Sequence, residues 1–233
     1  MKNISRRQLL QLAGVSGTGL LLGGCGVPIV ADLVGLATEP LNQKFEELIF
    51  KPEKPVPEFA LSQIEPEKLI VNTFGFTPNI DPQSFRLIID GEVNHPMQLS
   101  LNELYQLPLT STIIRHVCVE GWAAIVQWGG VRLRDLIQLA QPKDGVKYVY
   151  FQSADRYYES WDLRSCLHPQ TLLAYQKNNQ PLPIENGAPL RLASPIKLGY
   201  KQSKWVTRVT LTSQLSRVRG YWEDQGYEWF AGL

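Results

Sequence analysis

The sequence is poor in the residues that staple or ligate. Its 233 residues include three cysteines and three histidines. Three cysteines cannot build a disulfide framework. No CxxC pair and no second Cys/His cluster supports a structural zinc site. Excess charge of one sign is missing too, since 23 basic residues face 22 acidic ones. That balance removes the basic footprint of a nucleic-acid binder and the charge bias of a disordered chain. No apolar run reaches the roughly 20 residues of a membrane span. The G-x-S-x-G elbow, the P-loop and the haem-binding CxxCH are also absent. With 44% apolar residues the chain can bury one sizeable core, and it is too short for three ordinary domains. A cysteine that matters here therefore acts singly, through its chemistry.

The first 24 residues differ from the rest. They hold Lys2, Arg6 and Arg7 and no acidic residue, followed by a glycine-rich apolar run from Leu9 to Leu22. A basic segment before a short apolar one is the layout of an export signal. Ser5-Arg6-Arg7-Gln8-Leu9-Leu10 resembles the twin-arginine pattern, whose route carries proteins already folded. Leu22-Gly23-Gly24-Cys25 resembles a bacterial lipobox, which implies a lipid anchor at Cys25. The alternative is an uncleaved N-terminal anchor. Removal of residues 1–24 leaves 20 basic against 22 acidic residues, so the mature charge turns slightly negative.

Residues 25–68 read as an arm. Pro28, Pro40, Pro52, Pro55, Pro57 and Pro66 interrupt any long element. Leu41, Phe45, Leu48 and Ile49 share one face of a short helix over Leu41–Phe50. The expectation is a tether packed loosely on the domain that follows.

Residues 69–233 alternate strand and short-helix patterns, which favours a mixed α+β domain over a βαβ barrel. Strands are predicted at 85–89, 112–119, 147–152, 190–193 and 205–212, the last with Val206, Arg208 and Thr210 facing one way. Ser100 with Glu103 forms a capping-box pattern before a helix over 101–106, and a second helix is predicted over 133–140.

Cys118 ends the strand in Arg115-His116-Val117-Cys118-Val119-Glu120-Gly121-Trp122. A lone cysteine in an apolar strand can be a small buried hydrophobe. Against that, Arg115 and His116 are basic neighbours that would favour the thiolate. Gly121 permits a sharp turn, and Trp122 and Trp128 can wall a pocket. His116-x-Cys118 is half a zinc site at best. A cysteine-hydrolase pairing with His95, His116 or His168 has no local motif behind it.

Several ordered motifs together resemble the sulfite-oxidase-type molybdopterin oxidoreductases. They are the Arg115–Trp122 segment, then Asn186-Gly187-Ala188-Pro189-Leu190-Arg191-Leu192, then Gly199-Tyr200-Lys201-Gln202-Ser203-Lys204-Trp205, and the tail Gly220–Tyr227. The likeness covers roughly residues 68–230 and is strongest to the branch of periplasmic methionine sulfoxide reductase catalytic subunits. It implies the mixed-sheet molybdopterin-binding fold and one molybdenum held by one pterin. By resemblance Cys118 is the metal's thiolate, a soft ligand suited to a redox-active metal. By resemblance Asn186 and Arg191 bind the cofactor, with Gln202, Ser203 and Lys204 adding backbone N–H groups and a second charge. Ser153 stands where relatives often carry threonine. Asn72 and Phe74 fall in a cofactor-contacting segment, although Phe74-Gly75 replaces a Tyr-Glu pair of the closest relatives. Cys166 has no counterpart and reads as a buried thiol.

The same resemblance implies oxygen-atom transfer. Sulfite oxidation calls for clustered positive charge and is typically accompanied by Asn-Arg-Arg soon after the cysteine. Here Glu120 and Trp122 follow it, with Tyr157, Trp161 and Lys197 as further candidates for the pocket. The expected reaction is reduction of a sulfoxide such as peptide methionine sulfoxide. A membrane haem protein or the quinol pool would donate electrons to an exported, periplasmic, monomeric enzyme. A sulfite-oxidase-type enzyme and a non-catalytic lipoprotein retaining the fold are the alternatives.

Overall fold

The computed structural model describes residues 51 and 53–233. The export signal, Cys25 and the helix expected over 41–50 lie outside the described residues. The compact unit discussed below runs from Phe50 to Leu233.

In chain order the elements are β1 (Leu87–Gly91), β2 (Met97–Leu99), α1 (Leu101–Tyr105), β3 (Thr110–Val117) and β4 (Ala123–Arg132). Next come α2 (Leu133–Ala140), β5 (Tyr148–Ser153), β6 (Tyr158–Asp162), α3 (Leu163–Cys166) and β7 (Leu172–Lys177). The chain finishes with β8 (Gln180–Pro181), β9 (Arg191–Ala193) and β10 (Val206–Thr212). They form two sheets. The first has the order β2-β1-β10-β5-β6, in which β1 and β10 run parallel. The second has the order β3-β4-β7-β8, with β9 also pairing β7. Mixed sheets with three short helices make the α+β fold expected from the sequence.

The helices follow their local signals. Ser100 caps α1, its side chain accepting from the Glu103 N–H while Glu103 accepts from the Ser100 N–H. In α2 the buried residues Leu133, Leu136, Ile137 and Ala140 recur at helical spacing. Gln141, in the left-handed region at φ 53°, ends it. The apolar faces of α1, α2, β1, β5 and β10 meet in one large core, and a smaller core lies beneath β3, β4 and β7.

Three expectations change. β10 turns Val206, Val209 and Leu211 inward, and leaves Arg208 and Thr210 half-buried. The register shifts between Val206 and Arg208, and one extra residue reverses the facing of all that follow. β3 stops at Val117, so Cys118 stands on the turn beyond it. Finally, residues 53–68 do not pack as a loose tether. The Phe59 N–H donates to the Ile113 carbonyl (3.0 Å), and Glu58 Oε2 accepts from the Ile113 N–H (3.1 Å). Glu65 does the same at Ile125 through its N–H and Oε2. These contacts pair backbone groups that the second sheet leaves open beyond its ladder.

Candidate functional site

Cys118 is placed by a tight turn between the paired strands β3 and β4. Its N–H donates to the Trp122 carbonyl (2.9 Å), and the Gly121 N–H returns to the Cys118 carbonyl (3.1 Å). Gly121 has φ +92°, a conformation that glycine adopts without a Cβ clash. The turn folds Glu120 back over the cysteine. Glu120 Oε2 lies 3.5 Å from Cys118 Sγ, 3.0 Å from Trp122 Nε1 and 2.7 Å from Asn72 Nδ2. Hydrogen bonds from Trp122, Asn72 and Cys118 hold the Glu120 carboxyl below its ordinary range.

The charged neighbours of Cys118 do not act as the sequence implied. Arg115 points to the other side of its strand, with its guanidinium 5.2 Å over the Phe59 ring. His116 is buried beside Trp122 and Trp128. Burial, and then Arg191, pull its pKa down to about 3, so it is a neutral ring. Burial and the Glu120 carboxylate raise the Cys118 thiol. Thus no positive charge on this strand stabilises the thiolate.

Cys118 opens onto a cavity of about 500 Å³. Two of its lining residues are cations. Arg191, at the start of β9, is 5% exposed and gives three of its five donors to the carbonyls of Leu192, Asn186 and Gln202. Among the described residues no carboxylate lies within 4 Å of it, and burial lowers its pKa to about 9. Lys204 bonds the carbonyls of Asn72 and Glu185. Burial and then Arg191 bring it down to about 8. Gly187, at φ +112°, lets these two cations approach, because a Cβ there would lie 2.9 Å from Lys204 Cβ and 3.0 Å from Arg191 Cβ. Asn186 is buried, with its side-chain oxygen taken by Lys177 Nζ (2.6 Å). Ser203 Oγ and His116 Nδ1 are buried without a partner among the described residues. Two cations outside salt-bridge range of any described carboxylate, with Asp155 on the same wall acting on Lys204 and unpaired polar atoms beside them, suit an anion with further hydrogen-bonding edges.

The lining of this cavity includes Asn72, Phe74, Cys118, Glu120, Trp122, Asn186, Arg191, Gln202, Ser203 and Lys204. Two details differ from the sequence expectation. The backbone N–H groups of Gln202 and Ser203 are engaged within their own loop, by Gly199 and Lys201. The Gln202 side chain is likewise spent, on Ser194 and Lys197. What this loop offers the cavity is Ser203 Oγ and the Lys204 ammonium. Ser153, on β5, does not line the cavity but an open groove that shares Tyr157 with it, and its hydroxyl has no partner among the described residues. Of the further pocket candidates, Tyr157 lines the cavity. Trp161 is fully buried, with its indole N–H on the Lys201 carbonyl. Lys197 is buried against Asp162 and the Phe230 carbonyl. Cys166 is a buried thiol in the main core.

Sequence reasoning missed most of the aromatic wall. Tyr200, Tyr221, Trp222 and Tyr227 join Phe74 and Tyr157 around the cavity. Phe74 and Tyr221 are 4.3 Å apart between ring centres, and Tyr221 and Trp222 are 5.1 Å apart. The sequence signals were the tail motif Gly220–Tyr227 and, for Tyr200, the Gly199–Trp205 motif, and neither told which way the rings point.

Among the described residues no group of three or more His, Cys, Asp or Glu side chains is placed to hold a metal ion.

Comparison with known proteins bears on the same segment. The family model described as an oxidoreductase molybdopterin-binding domain matches residues 74–222. An Azospira oryzae protein with the provisional name protein-methionine-sulfoxide reductase subunit YedZ1 is 37% identical, covering 98% of this chain and 88% of that one. The protein-methionine-sulfoxide reductase catalytic subunit MsrP of Burkholderia mallei is 30% identical over 88% of this chain and 68% of its own. The Campylobacter jejuni subunit of that name is 32% identical over 63% and 54%. Among solved structures, the sulfane dehydrogenase SoxCD of Paracoccus pantotrophus superposes with a TM-score of 0.57 at 24% identity. The match covers 61% of this chain and 42% of that one, and it supports the fold alone.

Proposed function

The chain belongs to the oxidoreductase family with a molybdopterin-binding domain, and from that premise we propose that it reduces a sulfoxide, of the peptide methionine sulfoxide type. The observation that carries the proposal is the pairing of the Glu120 carboxylate and the Trp122 indole beside Cys118, with no basic side chain among the described residues paired to that carboxylate. A carboxylate next to the reacting centre repels doubly charged sulfite. An indole and an aromatic wall favour a neutral sulfoxide with an apolar tail.

The bound molybdenum cofactor supplies two-electron oxygen-atom transfer, chemistry that side chains lack. Cys118 would hold the metal through its sulfur. Arg191 and Lys204 would take the cofactor's phosphate, with Asn186 and the Ser203 hydroxyl bonding its polar edges. Asn72 reaches both ends, since its carbonyl takes the Lys204 ammonium and its amide bonds Glu120. Glu120 Oε2 is spent on Asn72, Trp122 and Cys118, whereas Oε1 accepts no hydrogen bond from the described residues. Oε1 is thus the atom available to a substrate or water proton. The net reaction takes a sulfoxide, two electrons and two protons to a thioether and water.

The remaining parts of the reading rest on the sequence and on the relatives' names. Residues 1–24 act as a twin-arginine signal, Cys25 carries the lipid, and residues 25–68 lead to the catalytic domain at 69–233. The enzyme then works outside the cytoplasmic membrane as a monomer. A membrane haem protein or quinol supplies the electrons. No helix among the described residues is long and apolar enough to cross a membrane.

Steady-state assays on metal-loaded protein with a reduced dye test the proposal. Turnover of a peptide sulfoxide with no turnover of sulfite is expected. The reverse pattern overturns the reductase reading.

A further inference from the structure

The wall segment after Gly220 has no core of its own. Its regular structure is a single 3-10 turn, Glu223–Gln225, in which no residue is buried. Yet it carries Tyr221, Trp222 and Tyr227 to the cavity. Apolar packing resumes at Trp229–Ala231, so the ring-bearing stretch Tyr221–Tyr227 needs a further anchor at its Gly220 side.

That anchor is ionic and dry. Lys201, fully buried, places its ammonium 2.5 Å from Glu159 Oε1 on β6 and in a short hydrogen bond to Glu223 Oε1 on the wall segment. The Ser160 carbonyl takes a third bond at 3.1 Å. Both acids keep one oxygen, Oε2, buried and without a partner among the described residues. Gly220 is fitted to this arrangement, because a Cβ there would come within 2.7 Å of Glu159 Oε1 and closer still to Glu223 Oε2. Other anchors are the Tyr221 N–H on the Tyr158 carbonyl, the Ser160 hydroxyl on the Arg219 carbonyl, an exposed Tyr158–Asp224 bond, and, past the rings, the Tyr200 hydroxyl on the Glu228 carbonyl and the Trp229 indole N–H on Ser160. An exposed bond to a carboxylate constrains little, whereas a desolvated ion pair is directional and intolerant of displacement.

The rings respond as a linked set. Tyr221 packs on Phe74, Trp222 lies 5.2 Å from Tyr227, and Tyr227 lies 5.5 Å from Tyr200, the residue next to Lys201. We propose that Lys201 and Glu223 are positioning residues whose buried ion pair sets the aromatic wall, and with it the affinity for the apolar group flanking the substrate's sulfur. The affinity part rests on the sulfoxide-reductase reading; the clamp itself does not.

Glu223→Ala is the informative variant, because it leaves Lys201 paired with Glu159 rather than stranding a buried charge. Glu223→Gln keeps an oxygen for the ammonium and serves as the rescue. In the cofactor-loaded protein, amide exchange over residues 219–227 should quicken by about tenfold or more in Glu223→Ala and stay near wild type in Glu223→Gln. The KM for a peptide sulfoxide should rise about tenfold in the alanine variant, with kcat within about threefold and molybdenum content unchanged. Unchanged exchange in Glu223→Ala overturns the clamp. Faster exchange with unchanged KM overturns its role in affinity, as does a loss of molybdenum with KM intact. A wild-type protein that turns over no sulfoxide refutes the reading of function and leaves the exchange measurement to decide the clamp.

Discussion

Lys197 shows how burial alone can make a side chain sensitive to pH. It is 1% exposed, bonded to Asp162 and to the Phe230 carbonyl, with its ammonium 3.4 Å over the Phe230 ring. Burial lowers its pKa to about 8. The unfolded chain holds that proton up to an ordinary lysine pKa near 10.4. Between about pH 8 and 10.5 the unfolded state therefore binds more protons, and stability rises with pH. The cost of the buried charge is fully present below that window. Lys197→Met removes the titration, so across the window it should lose about 1–3 kcal/mol relative to wild type. Denaturant unfolding at pH 8 and pH 10.5 checks this, and a constant difference between the two proteins contradicts it. The sequence offered Lys197 as a further candidate for the pocket. Burial behind β6 cannot be read from spacing. Arg115 and His116 misled for a related reason. Neighbours along a strand face opposite ways, and an imidazole in a dry site next to Arg191 gives up its charge.

At the scale of elements, the signals that were legible were local ones. The Ser100–Glu103 box and the spacing of Leu133, Leu136, Ile137 and Ala140 both appear in the structure. β4 was not legible. It is buried along nearly its whole length, so it carries no alternation, and Gly129-Gly130 reads as a break. Those glycines serve the approach of β7. The register shifts there, and a Cβ on Gly130 would sit 2.1 Å from the Leu173 carbonyl oxygen. Gly130→Ala should therefore cost about 3 kcal/mol or more, as backbone must move. Gly121 presents the opposite case, with open space around its missing Cβ and strain only in its positive φ. Gly121→Ala should cost about 1–2 kcal/mol. Thermal unfolding of the two variants separates them; equal losses would contradict the close approach at β7.

At the scale of the molecule, the two sheets bring together segments more than 100 residues apart. Asn72, Cys118, Glu120, Arg191 and Lys204 are scattered through the sequence, and their meeting was legible only because several motifs recur together in one family. The chemistry of each position could be argued residue by residue. The aromatic wall and its ionic anchor could not, since no periodicity marks a segment held by a buried lysine from another loop. The arm was misjudged because its prolines speak against regular structure. They do not speak against pairing, and Glu58 and Glu65 reach the open backbone of β3 and β4 with their side chains.

The proposed function puts the Cys118 thiol on a molybdenum whose cofactor is bound through its phosphate by Arg191 and Lys204. X-ray absorption at the molybdenum edge counts the sulfur atoms on the metal. One sulfur fewer is expected in Cys118→Ser than in the wild-type protein. An equal count in the two would overturn that ligation.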